Sequence, residues 1–233
     1  MLAPSTVQEM ADDVFDAFDL ADEYRTPVMI LADGMLGQMM EPVVLPERKA
    51  PGDLPAKPWA VTGHKNQRPH NVVNSLYLKP EELERMSVER FERYETIRAK
   101  EQRAETYLTA DAEVVVVAFG ACARIARSAV NKAREKGIRA GLIRPITLWP
   151  FPVDTVEASI PKAKVLLTVE MNMGQMVDDV RLAVNGRRPV EFFGRAGGII
   201  PTPAEVLGRI EQLAETTPRG DALPTAQGSE GGA

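Results

Sequence analysis

The sequence predicts an α/β protein with a mainly parallel sheet, and three observations carry that prediction. From Asp111 to Ala214, short apolar β-branched runs alternate with segments of helical periodicity. Within one continuous stretch, Val165 to Val184, the period changes from a run short enough to be a doubly buried strand to apolar residues spaced by three and four. Glycine or proline closes segments, as at Gly137 and Pro161. Strands alternating with helices imply right-handed crossovers and helices on the faces of the sheet.

At the amino terminus, Met1 to Pro4 reads as the end of a strand. Thr6 and Glu9 have capping-box spacing, and Val7, Met10, Val14, Phe18 and Ala21 then recur at helical steps, so a helix spans 7–24. Thr26-Pro27 stops it, Val28 to Ala32 reads as a buried strand, and Asp33 to Gln38 forms a polar, glycine-bearing loop at that strand's carboxyl end. Five prolines between Pro42 and Pro58 exclude regular helix or central strand there and indicate an extended connector. His64 and His70 follow in a polar loop without acidic or cysteine neighbours at ligand spacing, so they read as ordinary loop histidines. Pro80 to Glu105 reads as a helix. Its mixed charges form a solvated face, and Leu83, Met86, Phe91, Tyr94 and Ile97 form a narrow apolar stripe for a domain or a partner.

The regular part then runs as strand 114–119, helix 124–136, strand 138–143, helix 153–160, strand 165–169, helix 176–184, strand 190–193 and helix 203–214. The tail from Thr216 has nothing to bury and is expected to be disordered.

Composition narrows the function. A net charge of -5 without blocks of like charge argues against a nucleic-acid or anionic-membrane surface. Cys122 is the only cysteine, so the chain has neither a disulfide framework nor the ligands for an iron–sulfur cluster or a cysteine-rich zinc site. A reducing, cytoplasmic setting fits. The apolar run from Val114 to Ala123 is far shorter than the ~20 residues of a membrane span. Nothing at the amino terminus has the form of a signal peptide.

The candidate chemistry lies at strand ends. Glu170, Asn172, Gly174 and Gln175 sit where open parallel sheets bind ligands, with Asp178 and Asp179 in the next helix's early turns. The bland alternative is that Glu170 and Asn172 cap that helix while Met171, Met173 and Met176 fill core. Gly120 to Arg124 follows a strand and opens a helix, yet it matches neither phosphate-loop spacing and reads as a tight structural turn, with Cys122 a buried small residue. Arg144 opens a stiff, proline-rich segment. It pairs either with a ligand carboxylate, phosphate or partner chain, or within the chain as a plain salt bridge.

Five segments carry a resemblance: APSTVQEMADDVFDAFDLADEYRTPVMILADGMLGQMMEPV (3–43), NVVNSLYLKPEEL (71–83), GLIRPITLWPFP (141–152), EMNMGQMVDDVRLAV (170–184) and FFGRAGGIIPTP (192–203). Together, from residue 2 to about 214, the chain resembles the alpha subunit of 2-oxoacid:ferredoxin oxidoreductases, nearest the 2-oxoisovalerate (3-methyl-2-oxobutanoate) type. The resemblance implies residues 1–45 as the end of a thiamine diphosphate pyrimidine-binding domain and 46–110 as a proline-rich and helical connector. It implies 111–215 as a transketolase carboxyl-terminal-like three-layer domain, followed by the tail 216–233. The implied reaction is oxidative decarboxylation of a 2-oxo acid, of branched-chain type, to acyl-coenzyme A, with electrons passed to ferredoxin. Its cofactors would be thiamine diphosphate with magnesium at a subunit interface and an iron–sulfur cluster on a partner, and its partners a beta subunit and any gamma or delta subunits. Asp33, Gly34, Gln38, Arg144, Glu170, Asn172, Gly174 and Gln175 are the candidate cofactor or interface residues. The family's Tyr-Pro-Ile-Thr-Pro segment and cofactor-activating glutamate would lie upstream of Leu2. The sequence is therefore expected to be the downstream part of a longer subunit, to contain no catalytic residue and to be inactive alone. Ala196 replaces a usual proline, while Gly197 and Gly198 keep the loop's backbone freedom. The competing reading is a non-catalytic α/β module that binds a nucleotide or a partner protein.

Overall fold

The computed structural model describes residues 1–47, 50–54 and 56–217. Five strands, β1 (Ala104–Tyr107), β2 (Val114–Val117), β3 (Ala140–Pro145), β4 (Val165–Glu170) and β5 (Val190–Gly194), form one sheet in the order β1-β3-β2-β4-β5. All neighbours are parallel except β1, which runs antiparallel to β3 at the edge. Six α-helices accompany them among the described residues: α1 (Val7–Tyr24), α2 (Pro80–Lys100), α3 (Gly120–Glu135), α4 (Val153–Ser159), α5 (Met176–Val184) and α6 (Pro203–Thr216).

The four valines of β2 show why the sheet is a middle layer. Val114 and Val116 pack with α3 and α6, Val115 and Val117 with the α4 and α5 side, and all four are buried. Alternation of side chains sends them to opposite faces, and helices cover both, so the strand carries no polar residue. The α/β class with a mainly parallel sheet is thus as expected. The topology puts the carboxyl ends of β2, β3, β4 and β5 on one edge, which is where the candidate loops emerge.

Several boundaries differ from the sequence reading. The charged helix stops at Lys100 instead of reaching Glu105, because the chain leaves to pair β1 with β3, Ala104 opposite Pro145 and Glu105 opposite Arg144. Helix α3 starts at Gly120, with Phe119 as its cap instead of a strand residue. Strand β3 lies two residues further along than expected, which places Arg144 inside the sheet. The run 28–32 is not a buried strand: Ile30 makes a single parallel bridge to Leu2, while Met29 and Leu31 are exposed. Strand burial needs neighbours on both sides, and the described residues supply only one. Leu2, itself buried, bridges to both Ile30 and Thr147, and so ties the amino-terminal unit to the end of β3. Helix α6 runs through Thr216, and the rest of the expected tail, 218–233, lies outside the described residues.

Helix α1 holds an ionisable group in an awkward place. Asp13 is buried with one carboxylate oxygen unpartnered, and burial, with the charges of Glu9 and Asp16, pushes its pKa up to about 6. Between its ordinary value and that one the folded chain binds more protons than the unfolded chain, so stability falls as pH rises through the window. Asp13→Asn is expected to stabilise the chain by about 1 kcal/mol at neutral pH, after allowing for solvent screening, with the gain vanishing near pH ~4. Urea denaturation at the two pH values checks both the size and the sign.

Candidate functional site

A cleft of about 630 Å³ opens at the carboxyl edge between the 33–39 loop, Met171 after β4, and the 198–200 loop after β5. Asp33, Gly34 and Gln38 line it as expected from the sequence. Met35, Met39, Gly198, Ile199 and Ile200 line it as well. Met35 belongs to the 33–38 loop already read as a candidate, while the sequence reading assigned the other four no site role. The signal was present in Gly197-Gly198-Ile199-Ile200, a glycine pair with positive φ followed by two exposed isoleucines just past a strand end.

Glu170 lies behind the Met171 wall and is almost completely buried. Its Oε2 accepts hydrogen bonds from the Met176 N–H (2.9 Å), the Gln175 N–H (3.3 Å) and the Asn172 side-chain amide (3.0 Å), and its Oε1 from the Val177 N–H (3.0 Å). It thus satisfies the free donors at the start of α5 and places a carboxylate at the positive end of the helix. Asn172 Oδ1 in turn accepts from the Gly174 N–H at 2.7 Å, and Gly174 takes φ 103° to make that turn. A Cβ on Gly194 would lie 2.5 Å from the Asn172 carbonyl oxygen. The loop therefore rests directly on the end of β5. Among the predicted residues, Glu170, Asn172, Gly174 and Gln175 form this capping network instead of lining the cleft. Of the three methionines read as core filler, Met171 is half-buried, Met176 is buried and Met173 is exposed.

Asp33 ties the first loop to α3. Its Oδ1 accepts from the Leu36 N–H at 2.7 Å and its Oδ2 from the Ala121 N–H at 3.1 Å, and Gly120 has φ 57° where a Cβ would stand 3.1 Å from the same oxygen. The amino end of α3 is thus occupied by a carboxylate of the chain itself, where the nucleotide-binding reading would put a phosphate. Cys122 is buried beside it, and burial, together with the charges of Asp33 and Glu170, pushes its thiol up to about 12. The thiol stays protonated and is no nucleophile.

Arg144 lies apart from the cleft. Its Nη1 and Nη2 donate to Glu9 at 3.0 and 2.9 Å, and its Nε to Glu105 at 2.9 Å. Of the two readings, the intramolecular salt bridge is the one found. Although burial alone would raise it, hydrogen bonds from Arg144 and Arg127 hold Glu105 below the usual carboxylate range. Nearby, Glu41 accepts from the Val7 N–H (3.0 Å) and from Arg124 (2.8 Å), both of which hold its pKa low. The His64 and His70 rings lie tilted against each other with centroids 3.9 Å apart.

Residues 1–116 match the family model described as pyruvate flavodoxin/ferredoxin oxidoreductase, thiamine diphosphate-binding, and residues 112–206 match pyruvate:ferredoxin oxidoreductase core domain II. Ketoisovalerate oxidoreductase subunit VorB of Methanothermobacter marburgensis is 44% identical over 214 residues, covering 92% of this chain and 60% of the relative. The chain belongs to the 2-oxoacid:ferredoxin oxidoreductase family. The 2-oxoglutarate synthase subunit KorA of the same organism, another member, is 33% identical over 90% of this chain and 62% of its own length. A solved 2-oxoglutarate:ferredoxin oxidoreductase from Magnetococcus marinus shares the fold, with a TM-score of 0.69 at 20% identity over 91% of this chain and 42% of that one. The chain spans about 60% of the length of the curated VorB relatives it matches.

A family cofactor can be tested against the cleft itself. The lining offers one carboxylate, one amide, thioethers and aliphatic groups, with neither lysine nor arginine. Among the described residues no three His, Cys, Asp or Glu side chains come together to hold a cation. Such a surface fits the uncharged face of an aromatic ring and does not fit a diphosphate with its divalent cation.

Proposed function

We propose that this chain forms part of the alpha subunit of a thiamine diphosphate-dependent 2-oxoacid:ferredoxin oxidoreductase. It would convert a 2-oxo acid of branched-chain type, coenzyme A and oxidised ferredoxin to acyl-coenzyme A, carbon dioxide and reduced ferredoxin in a cytoplasmic setting. The 44% identity to a ketoisovalerate oxidoreductase subunit along 92% of the chain carries the reading. In this assignment residues 1–45 finish a pyrimidine-side domain, 46–110 connect, and 111–215 form the transketolase carboxyl-terminal-like domain. Bound thiamine diphosphate supplies the stabilised carbanion on which decarboxylation depends. The part of this chain is to wall the cofactor's uncharged side with Met35, Met39 and Ile199, to fix the loops through Asp33 and Glu170, and to exclude water. The diphosphate, its magnesium and the iron–sulfur cluster are assigned to companion subunits.

The assay contains thiamine diphosphate, magnesium, coenzyme A, 2-oxoisovalerate and a viologen dye. The chain alone is expected to give no dye reduction, and the assembled complex to reduce dye. With the complex, kcat/KM for 2-oxoisovalerate is expected to exceed that for 2-oxoglutarate by roughly 100-fold, since a site built for an apolar side chain leaves the second carboxylate unpaired. Dye reduction by the isolated chain would refute the division of labour, and a preference for 2-oxoglutarate would refute the substrate class.

A further inference from the structure

The loop that forms the first wall of the cleft is tied to the rest of the chain at its two ends. It leaves Asp33, whose Oδ2 accepts from the Ala121 N–H at the start of α3. It ends at Glu41, whose Oε1 accepts from the Arg124 guanidinium at 2.8 Å and whose Oε2 accepts from the Val7 N–H at 3.0 Å. Ala121 and Arg124 are three residues apart, so the two ties fall within one turn of α3. The loop thus crosses that turn as a strap with a carboxylate fastening at either end, and Met35 and Met39 of the cleft wall lie between the fastenings.

The strap has little else to fix its place. Among the described residues the hydrogen bonds of 34–40 stay within the loop: the Leu36 N–H donates to Asp33 Oδ1, and the Gly37, Gln38 and Met39 N–H groups donate to the carbonyls of Asp33, Met35 and Leu36. Leu36 is buried, but Gly34 and Gly37 stand in open space and Met40 is exposed, so packing offers Met39 little resistance to displacement. Beyond Glu41, the Val44 N–H and carbonyl both pair with the Gln8 side-chain amide at 2.8 Å, an exposed fastening that reaches α1 and not α3. The tie from the far end of the strap to α3 is therefore the Glu41–Arg124 pair, and the Ser5 carbonyl accepts a further bond from Arg124 at 3.4 Å. The opposite walls are set independently by β4 and β5, where the Arg195 N–H donates to the Glu170 carbonyl at 3.2 Å.

We infer that Glu41 and Arg124 are positioning residues for cofactor binding: through the strap, and without touching the ligand, they hold Met35 and Met39 where the cleft seats an uncharged ring, which rests on the cleft being the wall of thiamine diphosphate proposed above. The strap itself stands on the chain's own geometry. A wall displaced by a fraction of its contact distance weakens binding even when the displaced fastening lies outside the site.

Hydrogen exchange on the full chain reads the strap, and KM for thiamine diphosphate in the assembled complex reads the cofactor. Glu41→Ala cuts both bonds. It is expected to speed exchange at the Gly37, Gln38 and Met39 amides by ~10-fold and to raise KM for thiamine diphosphate by ~5-fold, with kcat at saturating cofactor held within ~2-fold. Arg124→Met leaves the Val7 N–H its acceptor. It is expected to give ~3-fold in both readouts, with exchange in the first turn of α1 unmoved and Tm within ~3 °C, since the pair is part-exposed. Arg124→Lys can still make the single contact to Glu41 and is expected to return KM to within ~1.5-fold of its starting value. Should Glu41→Ala fail to fold, Arg124→Met carries the test. Unchanged exchange at residues 37–39 would overturn the strap while leaving the cofactor reading in place. Faster exchange with KM and kcat both unmoved would overturn the placement of the cofactor against this loop. A fall in kcat with KM unmoved would mark loss of folded complex and overturn the positioning role.

Discussion

Glu170→Ala is expected to lower the stability of the chain by ~3–5 kcal/mol, with the loss centred on the start of α5. Four donors converge on this one carboxylate: three backbone N–H groups at residues 175–177 and the Asn172 side-chain amide. The residue is 1% exposed, so water is poorly placed to replace the lost acceptor, and each buried donor left without a partner is penalised by desolvation. Glu170→Gln retains one carbonyl oxygen but brings an amide N–H toward other donors. Its expected loss is about half as large. Chemical denaturation followed by far-UV circular dichroism measures both, and hydrogen exchange at residues 175–178 locates the effect. A loss below ~1 kcal/mol for the alanine variant would mean that water enters the site freely. The consequence for the cleft is direct, because Met171 follows Glu170 in the chain and forms one wall.

The elements that were legible in the sequence share one property: their burial is decided by the chain's own period. The helix 176–184 was read to the residue, since Met176, Val180, Ala183 and Val184 face one core and Val177 is buried beside them in sequence. Strand β1 was not, because Ala-Glu-Thr-Tyr has no alternating apolar face and continues the charged pattern of α2. Its strand identity comes from the partner β3. The run 28–32 failed in the other direction: it is apolar enough to be a buried strand, but burial belongs to neighbours that the described residues do not supply. In the site, Asp33, Gly34 and Gln38 were found because a polar loop after a strand is a local signal. The wall at 198–200 approaches from more than 150 residues away, and no local pattern says which strand ends converge. The capping role of Glu170 was visible only as one of two alternatives, since a carboxylate at a strand end serves a ligand or a helix equally well by sequence.

Arg144 shows the same dependence on partners far along the chain, and Arg144→Met is expected to destabilise by ~2–4 kcal/mol. The guanidinium is 8% exposed at its side chain and spends all three nitrogens on Glu9 and Glu105. Glu105 stands opposite it across the β1–β3 pair, while Glu9 comes from the first turn of α1 and also accepts from the Ser5 N–H at 2.7 Å. Removing the arginine leaves two carboxylates facing each other's charge. They are more than a third exposed or close to it, so water offsets part of the penalty, and the estimate lies below that of a fully buried pair. Because the lost bonds anchor the first turn of α1, hydrogen exchange there is expected to accelerate before the sheet opens. Arg144→Lys keeps the charge without the two-pronged geometry and is expected to recover less than half of the loss. Adding Glu9→Gln to Arg144→Met removes the stranded charge, so the double variant is expected to be less damaged than the two single losses added together, by ~1–3 kcal/mol. Additivity within ~0.5 kcal/mol would show that the pair does not act as a unit. In the assembled complex, KM for the 2-oxo acid and for coenzyme A is expected to stay within about threefold for Arg144→Met, since each of its three nitrogens already donates to a carboxylate of the chain. A tenfold or larger rise in either KM, with the complex intact, would restore the arginine to the ligand-binding role that its sequence position first suggested.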